Sequence, residues 1–241
     1  MNASTRWQEV ISDNLAASQI PGFKKQDLSF SAVQAKYQTR SPGALPGSAQ
    51  RFAMPLAVVT TNLQAGELRS SGGATDLALE GPGLFEVQLP SGRRGYTRDG
   101  GFRINAQGEL VTKQGLPVMG DTGPLRLDPN SSGPFSVAPT GEVSQGEVLK
   151  GRLKISDFGA PGALVSTGAD LFITADPAAQ LPAASATTVR QGFVENANTS
   201  PIVEMVNLIS AQRLFQANQK VIQSEDDRLG RLISDVGNPA S

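Results

Sequence analysis

The sequence predicts an α+β fold in which paired N- and C-terminal helices form a coiled-coil layer and an antiparallel β-rich domain is inserted between them. Three observations carry this. Apolar residues at helical spacing open the chain, short alternating apolar runs fill a glycine- and proline-rich middle, and a long three-four apolar stripe closes it. The implied domains are a helix and turn over 1–30, an extended linker and loop over 31–75, a β-rich domain over 76–190 and a closing helix over 191–241.

In the opening segment Trp7, Val10, Ile11 and Leu15 share one helical face. Pro21 and Gly22 end that helix, because proline lacks an N–H and glycine adopts the angles of a reversal. A short amphipathic helix is marginal in water by itself, so its apolar face needs a cover.

The middle region reads as strands. The runs "LAVV" (56–59), "DLALEG" (76–81), "LFEVQL" (84–89), "GYTRDGGFRIN" (95–105), "ELVT" (109–112), "LPVMG" (116–120), "PFSVA" (134–138), "GRLKIS" (151–156) and "LFITA" (171–175) are separated by turn dipeptides. Phe85, Val87 and Leu89 share a face, "LPSGRRG" reverses the chain into the run near Tyr96, and "NAQG" reverses it again, which predicts a three-strand meander. Residues 39–50, "TRSPGALPGSAQ", have the punctuation of a surface loop, and 177–188, "PAAQLPAASATT", read as a tether.

The last region is one long helix. Ser200 suits the N-cap, Pro201 the first helical position and Glu204 the positive end of the helix dipole. Leu208, Ala211, Phe215, Asn218, Ile222, Glu225, Leu229 and Leu232 follow the alternating spacing of a coiled-coil seam, widened by Leu214 and Val221. A helix from Ile202 to Ile233 would extend about 48 Å. An ordinary surface helix is the plainer reading, but in "IVEMVNLI" only Glu204 and Asn207 are polar, so apolar surface wraps most of the circumference. The N-terminal helix is expected to cover one face and neighbouring copies of the chain the rest.

Composition excludes much chemistry. The 241 residues are 39% hydrophobic, enough for a core, and 21 basic against 22 acidic residues argue against a nucleic-acid surface or a polybasic membrane anchor. Cysteine and histidine are absent, which removes disulfides, thiolate sites, most hydrolytic triads and most zinc sites. No window reaches the roughly 18 apolar residues of a membrane span, and no basic segment followed by an apolar run opens the chain, so no cleavable signal is expected. Gly81, Pro82 and Gly83 lack the lysine and following helix of a phosphate cradle, and Asp226 and Asp227 lack calcium-ligand spacing. No catalytic residue, cofactor or metal is therefore expected. Two alternatives stay open: an exported β-rich hydrolase using two carboxylates, for which no compact acidic constellation is visible, and a β-domain adhesin, which leaves the long helix unexplained.

Three motifs in order resemble the bacterial flagellar axial proteins, in particular the basal-body rod proteins. They are "DNLAASQIPGFKK" (13–25), "LALEGPGLFEVQLPSGRRGYTRDGGFRINAQGELVTKQGLPVMG" (77–120) and "QGFVENANTSPIVEMVNLISAQRLFQANQKVIQ" (191–223). The resemblance implies a structural subunit of the periplasmic section of the flagellar axis. Such a subunit passes unfolded through the flagellum's own type III export apparatus, without a cleavable signal, and builds the rod between motor and hook. Implied partners are copies of itself, other rod or hook-junction subunits and surrounding ring proteins.

By the same resemblance Asn14, Leu15, Ala16, Pro21, Gly22 and Phe23 seat the N-terminal segment against neighbours. Met205, Val206, Leu208, Ile209, Gln212, Arg213, Leu214, Phe215, Asn218, Ile222 and Leu229 do so for the C-terminal one. The plainer reading of the first set is a capped helix end folding on its own domain. Arg213 is either paired across an interface or solvated, and Asn218 either sets register or interrupts the stripe. Gly81, Gly83, Phe85, Tyr96, Thr97, Arg98 and Gly100 are read as turn and meander residues that stabilise the β domain. "QGLPVMGDTGPLRL" and "GRLKI" lean toward the proximal rod, while "GYTRDGGF" and "SAQRLFQANQKVIQ" suit the distal rod equally. The resemblance also implies further helical turns ahead of Met1.

Overall fold

Helix α1 (Asn2–Ala17) runs to the predicted Pro-Gly turn, and helix α2 (Pro201–Gly237) closes the chain, with Gly230 carried inside it. The computed structural model describes residues 2–36, 51–129, 131, 133–158, 164–168, 170–174, 180–182 and 187–237. The loop expected over 39–50 lies outside them. The chain forms two compact units, one of Met1–Asp13, Leu28–Val59 and Ile202–Ser241, the other of Asn14–Asp27 and Thr60–Pro201. Strands Gln26–Lys36 and Arg51–Thr61, the first beginning ahead of the stretch read as a linker and the second within it, pair as a two-stranded sheet.

The larger unit is built around a six-stranded sheet. Its order is Leu164–Ser166, Leu171–Thr174, Arg94–Thr97, Leu84–Gln88, Ile155–Phe158 and Gln180–Pro182, and every pairing is antiparallel. Strand Leu84–Gln88 is buried on both faces, which the two-residue period of a strand makes legible. Phe85 and Val87 enter the main core with Leu77, Leu79, Phe102, Leu110 and Val118, while Leu84 joins a second cluster with Tyr96, Phe158, Leu164 and Phe172. Edge-to-face ring pairs sit in both, Phe85 with Phe102 at 5.1 Å and Tyr96 with Phe158 at 4.8 Å.

Three expectations are corrected. The meander stops at two strands: Arg94–Thr97 has Leu84–Gln88 on one side and Leu171–Thr174 on the other, and Arg103–Ile104 pairs with Leu110–Val111 in a separate ribbon. Burial of Arg98, Asp99 and Gly100 takes the chain out of the sheet before a third strand can form. The stretch read as a tether contributes an edge strand, Gln180–Pro182, because ladder bonds need backbone groups and not apolar side chains; Pro182 is tolerated at an edge.

The third correction concerns the fold class. The chain is α+β in the broad sense, mostly strands with one helix at each end, but the terminal helices do not form the predicted coiled-coil pair. Helix α1 has 16 residues and α2 has 37, lengths of roughly 24 and 56 Å. A seam within one chain can be no longer than its shorter helix. Along the predicted stripe Ala211 is buried and Leu208 and Phe215 are half-buried, whereas Asn218, Ile222, Glu225, Leu229 and Leu232 are all exposed.

Candidate functional site

Two features concentrate the predicted site residues: the bare surface of α2, and a buried clasp in the larger unit. On α2 the exposed apolar residues include Ile202 (72%), Val206 (58%), Ile209 (51%) and Val221 (61%). At roughly 100° per residue, Glu204, Leu208, Ala211 and Phe215 lie on one side, and Ile202, Met205, Val206 and Ile209 on the opposite side. Val203, Leu214 and Val221 form a third line between them. From Gln216 to Leu232 every side chain is exposed. A helix with one buried side needs one apolar stripe, so the extra apolar lines have no use in the isolated chain.

The clasp joins all three sequence motifs. Glu195, from the strand Phe193–Glu195 ahead of α2, is fully buried, and its Oε1 lies 2.5 Å from Lys24 Nζ while its Oε2 accepts from Arg98 Nε at 2.5 Å. Gly66 N also donates to Oε1 at 2.7 Å, and Lys24 Nζ donates to the Gln64 carbonyl at 2.6 Å. Arg98 donates in addition to the carbonyls of Leu79 (2.9 Å), Gly81 (2.7 Å) and Gly83. Buried charges are tolerated here because each is both paired and hydrogen-bonded. Gly22 N donates to the Glu195 carbonyl at 2.7 Å, which ties the turn after α1 to the strand ahead of α2.

Asparagines tie the same region together. Asn14 donates to the Gln26 carbonyl and accepts from Gln26 N, at 2.9 and 2.8 Å. Asn198 Oδ1 accepts from Lys25 N at 2.7 Å, and its Nδ2 donates to the carbonyls of Asn62 and Gln64. Asn62 Nδ2 donates to Asp27 Oδ2 at 3.0 Å.

Burial lowers the Lys24 pKa below its ordinary 10.5, outweighing the opposing pull of Glu195, and Arg98 lowers it further. The folded chain therefore loses this proton before the unfolded chain does. By linkage, Lys24 makes stability rise with pH between its folded value and 10.5. Lys24→Met, which leaves Glu195 paired with Arg98, is expected to remove that alkaline rise in the denaturant midpoint. Burial likewise raises the Tyr96 pKa, assisted by Glu86.

Of the predicted N-terminal residues, Asn14, Gly22 and Phe23 are buried, Leu15 and Pro21 half-buried and Ala16 exposed. Of the β-region residues, Phe85, Tyr96, Thr97, Arg98 and Gly100 are buried and Gly81 and Gly83 half-buried. On α2, Met205, Val206, Ile209, Gln212, Arg213, Leu214, Asn218, Ile222 and Leu229 are exposed. The structure thus unites Gly22, Gly81, Gly83 and Arg98 at the clasp, in the larger unit. Sequence reasoning missed Lys24, Glu195, Asn62 and Asn198. Lys24 and Glu195 lie inside the quoted "PGFKK" and "FVENA" stretches, and the available signal was a charge beside a turn motif.

A cavity of about 210 Å3 adjoins the clasp, lined by Leu63, Pro82, Leu84 and Phe158 with Lys24, Arg98 and Asp157. Among the described residues no group of three or more Asp or Glu could hold a metal ion, and no helix is long and apolar enough to cross a membrane. Internal charges consumed in structure and a bare apolar helix are the features of a structural protein.

Comparison with known proteins narrows the class. The model described as flagellar basal body rod FlgEFG protein C-terminal matches residues 190–235, and that of the flagellar hook protein FlgE/F/G D1 domain matches 78–145. The flagellar basal-body rod protein FlgF of Caulobacter vibrioides is 33% identical over 93% of this chain and 92% of its own length. FlgG of Buchnera aphidicola subsp. Acyrthosiphon pisum is 32% identical over 92% and 91%, and FlgG of Caulobacter vibrioides 32% over 92% and 90%. The chain belongs to the flagellar basal-body rod protein family. It is a structural subunit of the basal body, without enzymatic activity.

Proposed function

We propose that this rod subunit assembles through α2, whose bare apolar lines pack against α2 and α1 helices of other rod subunits. The observation that carries this is the set Ile202, Val203, Met205, Val206, Ile209, Leu214, Val221, Ile222, Leu229 and Leu232, each between 45 and 72% exposed. Such a run of exposed apolar side chains marks an interaction surface. Leu15, Ala16 and Pro21 contribute from the N-terminal side, while Asn14, Gly22 and Phe23 serve the chain's own packing. Transit through the flagellar export apparatus fits a chain with no cysteine, which can be held unfolded without disulfide cross-links. Ring proteins around the axis are the further partners we assign. Similarity to FlgF and FlgG is nearly equal, so either the proximal or the distal rod accommodates this reading.

The test replaces Ile209 and Leu229 with Asp in the sole copy of the gene. Both side chains are about half exposed, so the purified chain should melt within a degree or two of the parent, since exposed substitutions move stability by about 0.5 kcal/mol or less. Cells should lose motility, and electron micrographs should show basal bodies halted at the rod. Full motility with normal rods would refute the assignment.

A further inference from the structure

The chain passes between its two units four times, at residues 13–14, 27–28, 59–60 and 201–202. Within the larger unit, the segments that end at those passages are bound to one another. Asn14 holds Gln26, Asn62 holds Asp27, Thr60 Oγ1 donates to the Asp27 carbonyl, and Asn198 holds Lys25, Asn62 and Gln64. Beneath them lies a charge arrangement the assembly reading does not use: two buried cations, Lys24 and Arg98, share the single carboxylate of Glu195.

We infer that Glu195 is a positioning residue that makes these segments dock or release as one set, while the β core remains folded whichever state they occupy. Without its negative charge, Lys24 and Arg98 are two desolvated like charges with no ion-pair partner among the described residues, which is far costlier than either ion pair is favourable. Arg98 is retained by the carbonyls of Leu79, Gly81 and Gly83. Lys24 has a flexible stem and, among the described residues, only the Gln64 carbonyl left, so Lys24 leaves. Its departure carries away Phe23 and Lys25, whose backbone groups bind Asn198 and Asn62. The loss therefore propagates to all the segments through bonds that Glu195 itself does not make.

Native-state hydrogen exchange on the full chain tests this, with a readout that does not depend on assembly. In Glu195→Gln the amides of Gly22, Lys25, Asn62 and Asn198 should exchange faster by a common factor of about a hundred or more. The amides of Gln88, Val118 and Leu125, bonded inside the β core, should be unchanged. Adding Lys24→Met leaves one buried cation held by three carbonyls, so the double variant should recover at least about tenfold of the lost protection at Asn62 and Asn198. A side chain needed only to fill space would give no such recovery. The inference is overturned if the four amides respond by different factors, if the β core loosens with them, or if the second substitution restores nothing.

Discussion

Gly100→Ala is expected to prevent the β-rich unit from folding at ordinary temperature. A Cβ at this position would lie 1.5 Å from the Leu77 carbonyl oxygen and 2.6 Å from the carbon bearing it. Both are backbone atoms, so no side-chain rotation relieves the clash. The approach is close because Leu77 N donates to the Gly100 carbonyl at 3.0 Å and Leu77 is fully buried in the main core. Making room means withdrawing the strand Leu77–Glu80 from that core. The loss should exceed about 4 kcal/mol, in the range reserved for direct disruption of core backbone. Thermal unfolding should show no cooperative transition, or one tens of degrees lower. Gly92→Ala is the control: its φ of +76° brings strain, but a Cβ there meets nothing within 4 Å, and about 1 kcal/mol is expected. Equal melting of the two variants would contradict the packing described.

Gly22→Ala should have an effect nearly as large but confined to the clasp. Here φ is +72°, and the added Cβ would meet Asp99 N at 2.2 Å and the Arg98 carbonyl carbon at 2.4 Å. The Pro-Gly turn can sit against the Arg98–Asp99 backbone only without a side chain. Unlike the strand at Leu77, this turn can lift away while Phe85, Val87 and Val118 stay packed. The expected result is protease cleavage within residues 18–26, loss of the Gly22 amide bond to the Glu195 carbonyl, and a β-core melting transition retained. Rod assembly should fail in cells. A variant that resists protease as the parent does would show that the turn tolerates a side chain.

Local features were legible in the sequence because their causes are local. Pro21 and Gly22 marked the end of α1, Pro201 and Glu204 the start of α2, and the alternation of Phe85 and Val87 a strand. The quoted motifs also placed the chain in its family. The role of "PGFKK" was less legible, because Lys24 finds its partner 171 residues away. The Pro-Gly turn beside Lys24 flags the position, but nothing near it in the chain identifies the distant counter-charge that buries it. Asn62 and Asn198 were missed for the same reason: Asn62 bonds the Asp27 carboxylate and Asn198 bonds backbone groups of Lys25, Asn62 and Gln64, all in distant segments. The helix pair failed on a length comparison that periodicity does not contain, since the stripe on α2 runs on well past the reach of a 16-residue partner.

Sequence alone thus determined the helices and turns, most of the strands, the absence of cysteine and histidine chemistry, and the apolar excess of α2. These depend on residue type and on spacing within a few positions. Only the tertiary structure decided the order of the six-stranded sheet, which lines of α2 stay bare, and the burial of Lys24 and Arg98 on one carboxylate. Those outcomes depend on how far-separated segments share a limited interior, where a buried charge persists only beside its counter-charge.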